Sequence, residues 1–140
     1  MSPAASFTIL LTNNAGQVLA DPAGFLRLHW SGQPRTFAET CAMFNTAAAA
    51  LARNAWGRIL INQVNMPPFS PQEQQWISQE WLPEAVRTNG YRFGAVVVAT
   101  NVLTRLATAY VTTSFSDSPL RYRSFDTEQE AVAWLLQQPQ

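Results

Sequence analysis

Few side chains in this 140-residue chain could do chemistry, and their types limit which chemistry that would be. There is one histidine, His29, one cysteine, Cys41, and no lysine, so every basic residue is arginine. A Schiff-base enzyme and a Walker-type phosphate loop both need the lysine amine and are excluded. One histidine and one cysteine cannot build a tetrahedral zinc site, and a lone cysteine forms no intramolecular disulfide. His29 lies beside Arg27 in a strand-like run, with no carboxylate or nucleophile placed near it, and reads as a strand histidine near solvent. Cys41 falls on an apolar helical stripe, with no positive neighbourhood to lower its pKa, and reads as core. Glu80 and Glu84, one helical turn apart and followed by Arg87, read as a solvated face with weak ion pairs. Arg121 and Arg123 point the same way along a strand and could hold an anion, though two solvated arginines is the plainer reading. No catalytic residue, metal or cofactor is assigned, and an enzyme is not expected.

One loop stands out. Gln63-Val64-Asn65-Met66-Pro67-Pro68-Phe69 joins the carboxyl end of an apolar strand to the start of a helix. In α/β folds ligands collect at that place, and free amides at a helix start attract anions. Met66 and Phe69 suit contact with a partner or an apolar ligand. Asn62, Gln63, Asn65, Met66, Phe69 and Ser70 are therefore the candidate binding residues. The alternative is that Pro67-Pro68 stiffens a connection while Phe69 packs inward.

The elements that must position this loop are legible from pattern. Phe7–Thr12, Gln17–Ala20 and Phe25–Trp30 read as an antiparallel meander, with turns at Asn13-Asn14-Ala15-Gly16 and Asp21-Pro22-Ala23-Gly24. In the third strand Leu26, Leu28 and Trp30 share a buried face, opposite Phe25, Arg27 and His29. Thr36 and Glu39 have capping-box spacing. Phe37, Cys41, Phe44, Ala48, Leu51 and Ala55 trace one helical stripe, and Gly57 is placed to close that helix. Gly57–Asn62 is a strand covered on both faces. Ser70-Pro71-Gln72-Glu73 starts a helix that turns Trp76, Ile77, Trp81 and Ala85 inward, with a kink or break at Pro83 and a stop at Asn89-Gly90. Tyr91–Thr100 is the most strand-like segment and reads as central. Asn101–Asp117 fits a helix through Val102, Leu106, Tyr110 and Thr113. It also fits strand alternation through Ala109, Val111, Thr113 and Phe115, and a helix is favoured at its start. Arg121–Phe125 is a strand, and Asp126 caps a last helix with Ala131, Trp134 and Leu135 inward. This order gives an α/β fold, a single mixed β-sheet of five to six strands with helices packed on it.

Composition narrows the class. One domain suits the length. With 47% hydrophobic residues and no net charge the chain is not disordered, and it lacks the basic face of a nucleic-acid binder. No apolar run reaches the length of a membrane span, and Met1–Ser6 has neither the basic flank nor the apolar core of a secretion signal. A soluble, cytoplasmic protein is expected. Charged residues make up 13%, about half the usual ~25%, which permits a homo-oligomeric interface.

Four segments carry a resemblance: Trp76-Ile77-Ser78-Gln79-Glu80-Trp81-Leu82-Pro83, Gly90-Tyr91-Arg92 running into Gly94-Ala95-Val96-Val97, Tyr122-Arg123-Ser124-Phe125-Asp126, and Glu130-Ala131-Val132-Ala133-Trp134-Leu135. With the His29-Trp30-Ser31-Gly32 turn they resemble the bacterial SpoIIAA-like proteins of the STAS-like fold class, from about Phe7 to Leu136. The resemblance implies a small mixed sheet with packed helices, regulatory interaction domains among its members, and related folds that hold apolar ligands. In the regulatory branch an Asp-Ser pair in the loop entering the second helix carries a phosphorylation switch. Here the strand leaves through Asn62-Gln63, and Ser70 is better explained as a helix cap, so a working switch is not expected. The expected function is a non-catalytic binding or regulatory module acting through protein–protein contacts, with a homodimer as one partner arrangement. The alternative is a carrier or sensor of a small apolar or acyl ligand held between helices and sheet, with Asn101–Asp117 as a lid.

Overall fold

The computed structural model describes residues 6–113 and 118–139. It opens with the antiparallel meander, β1 (Thr8–Asn13), β2 (Gly16–Asp21) and β3 (Phe25–Trp30). The first turn requires glycine: Gly16 has φ +149°, and a Cβ there would lie 1.9 Å from the His29 carbonyl oxygen. Asp21 closes the second turn, its carboxylate accepting from the Ala23 amide at 2.8 Å and its carbonyl from Gly24 at 2.9 Å.

From β4 onward every strand is parallel to the one before it. The sheet runs β1-β2-β3-β4-β5-β6, with β4 at Arg58–Asn62, β5 at Phe93–Val97 and β6 at Arg121–Phe125. The α/β class with one mixed sheet is thus what the sequence pattern predicts. The registers set His29, Asn62, Val97 and Phe125 in one row along the carboxyl edge of the parallel strands. β5 lies one strand from the edge, so the centre of the sheet is β3 and β4, not the Tyr91–Thr100 segment. Its apolar run reflects cover on both faces, which β3 and β4 share.

Helix α1 (Phe37–Asn54) joins β3 to β4. A continuous helix made of α2 (Pro71–Trp76), a π turn (Ile77–Trp81) and α3 (Leu82–Arg87) joins β4 to β5. Then α4 (Val102–Thr113) follows β5, and α5 (Glu128–Gln137) follows β6. Strands added in one direction by right-handed crossovers put successive helices on one face. That face buries Leu26, Leu28, Ile59, Ile61 and Val96 with Met43, Phe44, Leu51, Ile77 and Trp81. The opposite face belongs to α5, where Ala131 and Leu135 pack on Phe25, Leu60, Ala95 and Val97. Alternation in β3 predicted one buried face; both are buried, because α5 returns over the second.

Local chemistry sets the helix ends, with several departures from pattern. Thr36–Glu39 and Ser70–Glu73 both form complete capping boxes. The buried stripe of α1 is Thr40, Met43, Phe44, Ala47, Ala50 and Leu51, rotated from the predicted one; Phe37, Cys41 and Ala48 lie half-buried on its flank. There Phe37 meets Trp76 edge-on, 6.0 Å between ring centres, so the flank is apolar because a second helix covers it. Ala55, not Gly57, takes the left-handed closing conformation, at φ 56°. Thr127 rather than Asp126 caps α5, its hydroxyl accepting from the Glu130 amide. The break at Pro83 takes the form of the π turn, with Leu82 N–H reaching back to the Ile77 carbonyl. A widened turn just ahead of proline relieves the clash its ring would make with the carbonyl four residues earlier. Trp76 and Trp134 are half-buried, whereas Ile77, Trp81, Ala85, Ala131 and Leu135 are buried as predicted.

The Asn101–Asp117 segment begins as the helix α4, capped by Asn101, whose side-chain oxygen accepts from the Leu103 amide at 2.8 Å. Its continuation through residues 114–117, including the Phe115 that favoured a strand, lies outside the described residues. No helix among the described residues is long and apolar enough to cross a membrane.

Candidate functional site

The loop after β4 is held from below. Arg35, the residue before the α1 cap, is buried and makes an ion pair with Glu73 at 2.9 Å. It also donates to the carbonyls of Pro67 at 3.3 Å and Pro68 at 3.1 Å. Its guanidinium lies 5.5 Å from the Trp30 ring centre and 5.7 Å from that of Phe69. Burial pushes the Glu73 carboxyl up, but hydrogen bonds from Arg35, Thr40 and Ser70 outweigh it and leave its pKa below the usual range. One carboxylate thus serves a helix cap, a buried cation and a loop. The Pro67 and Pro68 carbonyls lie in a loop outside any helix or strand ladder, and Arg35 supplies their donor.

That anchoring decides where each candidate residue goes. Met66 and Phe69 are in the core, 1% and 6% exposed, so their apolar surface is not offered to a partner. Phe69 meets Trp30 edge-on at 5.6 Å between ring centres. Ser70 is exposed and caps α2, as its spacing predicted. Asn65 is exposed. The Asn62 amide donates to Glu128 at 2.7 Å and its oxygen accepts from the Val64 amide at 3.0 Å. Gln63 turns to the other side of the sheet, buried, and its carbonyl oxygen accepts from the Thr108 hydroxyl of α4 at 3.1 Å. Two more bonds tie α4 and its lead-in to the loop: Thr104 donates to the Met66 carbonyl at 2.7 Å and Thr100 to that of Val64 at 3.1 Å.

Helix α4 therefore rests on this loop, on α2 and on the π turn. Only Thr104 and Val111 are buried along it. Val102, Leu103, Leu106 and Tyr110 stand 56–64% exposed, and Thr113 lies on the same side. The Val102–Leu106–Tyr110 stripe, which periodicity would turn to the core, faces out, because the loop bonds through Thr104 and Thr108 fix the opposite side inward. No charged residue lies on the outward face; the single charge of α4, Arg105, sits on its flank. Between that flank and the carboxyl ends of β5 and β6 is a cleft of about 310 Å³, lined by Gln63, Val96, Val98, Arg105, Thr108 and Ser124 among others. A larger hollow of about 580 Å³ lies at the amino ends of the strands, beside Trp56, Gly57 and Phe93. The arginine there, Arg92, is already bonded to the carbonyls of Val86 and Tyr91.

The remaining chemistry-bearing residues disperse. His29 is not simply near solvent: it is half-buried, with Nε2 3.3 Å from Glu128 but without the alignment of a hydrogen bond. Burial lowers its pKa, Glu128 opposes that, and Arg27 adds to it. Arg27 itself links Asp21 at 2.9 Å and Glu128 at 2.8 Å. Sequence spacing hid this cluster, since Glu128 lies on α5, far along the chain. Cys41 has its pKa raised by burial and by Glu73, which keeps it a thiol. Glu80, Glu84 and Arg87 are exposed, and Arg87 bonds the Pro83 carbonyl rather than a glutamate. Arg121 and Arg123 are exposed on β6, with Arg123 over the Phe125 ring at 5.5 Å. Two structural arginines escaped the sequence reading. Arg35 is described above; Arg58 donates to the carbonyls of Ala23, Gly24 and Leu135. Neither belongs to a motif, and only their place beside an element start hints at a role. No cluster of metal-ligating side chains occurs among the described residues.

Known proteins offer no guide: no family model, no curated protein and no solved structure matches this chain.

Proposed function

We propose that this chain is a non-catalytic binding module that acts through protein–protein contacts, with a second copy of itself on the outward face of α4. The observation that carries this reading is the row Val102, Leu103, Leu106 and Tyr110, large apolar side chains held in solvent by a helix whose other side is bonded down. Contiguous apolar patches on monomers are uncommon outside contact surfaces. The face carries no charge, so its partner must be apolar and uncharged there, and a second copy of the same face meets that condition without repulsion. The contact surface thus moves from the Asn62–Ser70 loop to the helix seated on it. Kinship with the SpoIIAA-like proteins is part of the proposal, supported by the motifs quoted above and by the order of a meander followed by alternating helices and strands. Hydrogen exchange measured at rising protein concentration tests it. Amides of Val102–Thr113 should gain protection as concentration rises; protection independent of concentration would contradict the reading.

A second reading, carriage of a small ligand, is favoured by one observation: the cleft beneath α4 at the carboxyl ends of β4 to β6.

A further inference from the structure

We infer that the cleft beneath α4 is a site for a small organic oxyanion, a carboxylate with a short apolar body; this deepens the second reading above and rests on it. The polar groups turned to the cleft are donors. Gln63 is 3% exposed, and its carbonyl oxygen is taken by Thr108, which leaves the amide nitrogen with no partner among the described residues. That nitrogen keeps access to solvent and is free to donate to a ligand oxygen in the cleft. Arg105, on the flank of α4, makes no ion pair or side-chain hydrogen bond among the described residues, and its fork suits a carboxylate. Ser124 adds a hydroxyl from β6, and no carboxylate lines the cleft to compete with an anion. Val96, Val98 and Ala109 supply the apolar wall. Arg123 also lines the cleft, and the nearest acids, Asp126 and Glu130, border an adjoining hollow that shares Val98, Arg123 and Ser124 with it. At about 310 Å³ the cleft is at the lower end of the range for small-molecule sites, which restricts the apolar body to a few carbons.

Three probes test this by titration into the isotope-labelled full-length protein, followed through the Gln63 side-chain amide resonance: hexanoate, hexan-1-ol and inorganic phosphate. Hexanoate should shift that resonance saturably, hexanol and phosphate far more weakly. Arg105→Gln, an exposed position whose fold the same spectra verify, should weaken hexanoate at least about tenfold. Equal hexanoate affinity in wild type and R105Q, with hexanol binding as well, would overturn the oxyanion assignment and leave carriage of an apolar ligand standing. Phosphate binding as tightly as hexanoate would overturn the apolar body. No saturable shift with any probe would overturn both this inference and the carrier reading beneath it.

Discussion

At the scale of single residues, one carboxylate holds more of this structure than any motif announces. Glu73 completes the Ser70 capping box, accepts from Thr40 and neutralises the buried Arg35. Removing one partner of a buried pair leaves an uncompensated charge, so Glu73→Ala should destabilise by about 3–5 kcal/mol in urea denaturation. Ser70→Ala, which removes only the cap hydroxyl, should cost about 1 kcal/mol. Equal losses would show that Arg35 has no need of Glu73. His29 gives a pH signature. Its folded pKa lies below the unfolded 6.5, chiefly through burial, so the unfolded chain binds more protons and stability falls as pH drops below that value. His29→Asn should flatten the stability profile between neutral pH and pH ~5; an unchanged slope would mean that the imidazole is free to titrate in the folded chain. The sequence showed the Ser70–Glu73 box because caps are local. It hid Arg35, Arg58 and the Glu128 contacts because those link residues far apart in the chain, and a solitary arginine looks the same whether it is solvated or buried.

Elements were legible where a local rule acts alone. All six strands, the last at Arg121–Phe125 included, and both capping boxes follow from turn residues, alternation and caps. The misplaced helix faces fall where tertiary packing overrules pattern. The α1 stripe turned because α2 covers its flank, and α4 turned its larger apolar side outward because hydroxyls hold the smaller side to the loop. Caps offer a sharp check at this scale. Thr127→Ala should cost about 1 kcal/mol, since its hydroxyl caps α5. Asp126→Ala should cost only a few tenths, its residual charge effect at a helix start. The reverse order would restore Asp126 as the cap. Gly16→Ala should cost more than either, because the new methyl would meet the His29 carbonyl and unseat the β2–β3 pairing.

For the whole molecule, the two faces of the sheet have different fates. Helix α5 seals one face over Phe25, Leu60 and Val97. On the other, α1 and the α2–α3 helix seal the sheet up to β5, while α4 stands off and leaves both a cleft beneath it and an apolar face above it. Low charge in the composition hinted that some surface would be covered, yet it could not say which, because the choice depends on a helix orientation fixed by the hydroxyl bonds of Thr100, Thr104 and Thr108 to the loop. Self-association through α4 is the claim on which the proposed function stands. Sedimentation equilibrium of wild type beside Leu106→Glu tests it most directly, since the substitution places a carboxylate in the middle of an exposed face and leaves the core untouched. The account predicts a dimer for wild type that L106E converts to monomer with unchanged thermal stability of the monomer; a wild-type monomer at every concentration, or a dimer indifferent to L106E, would contradict it.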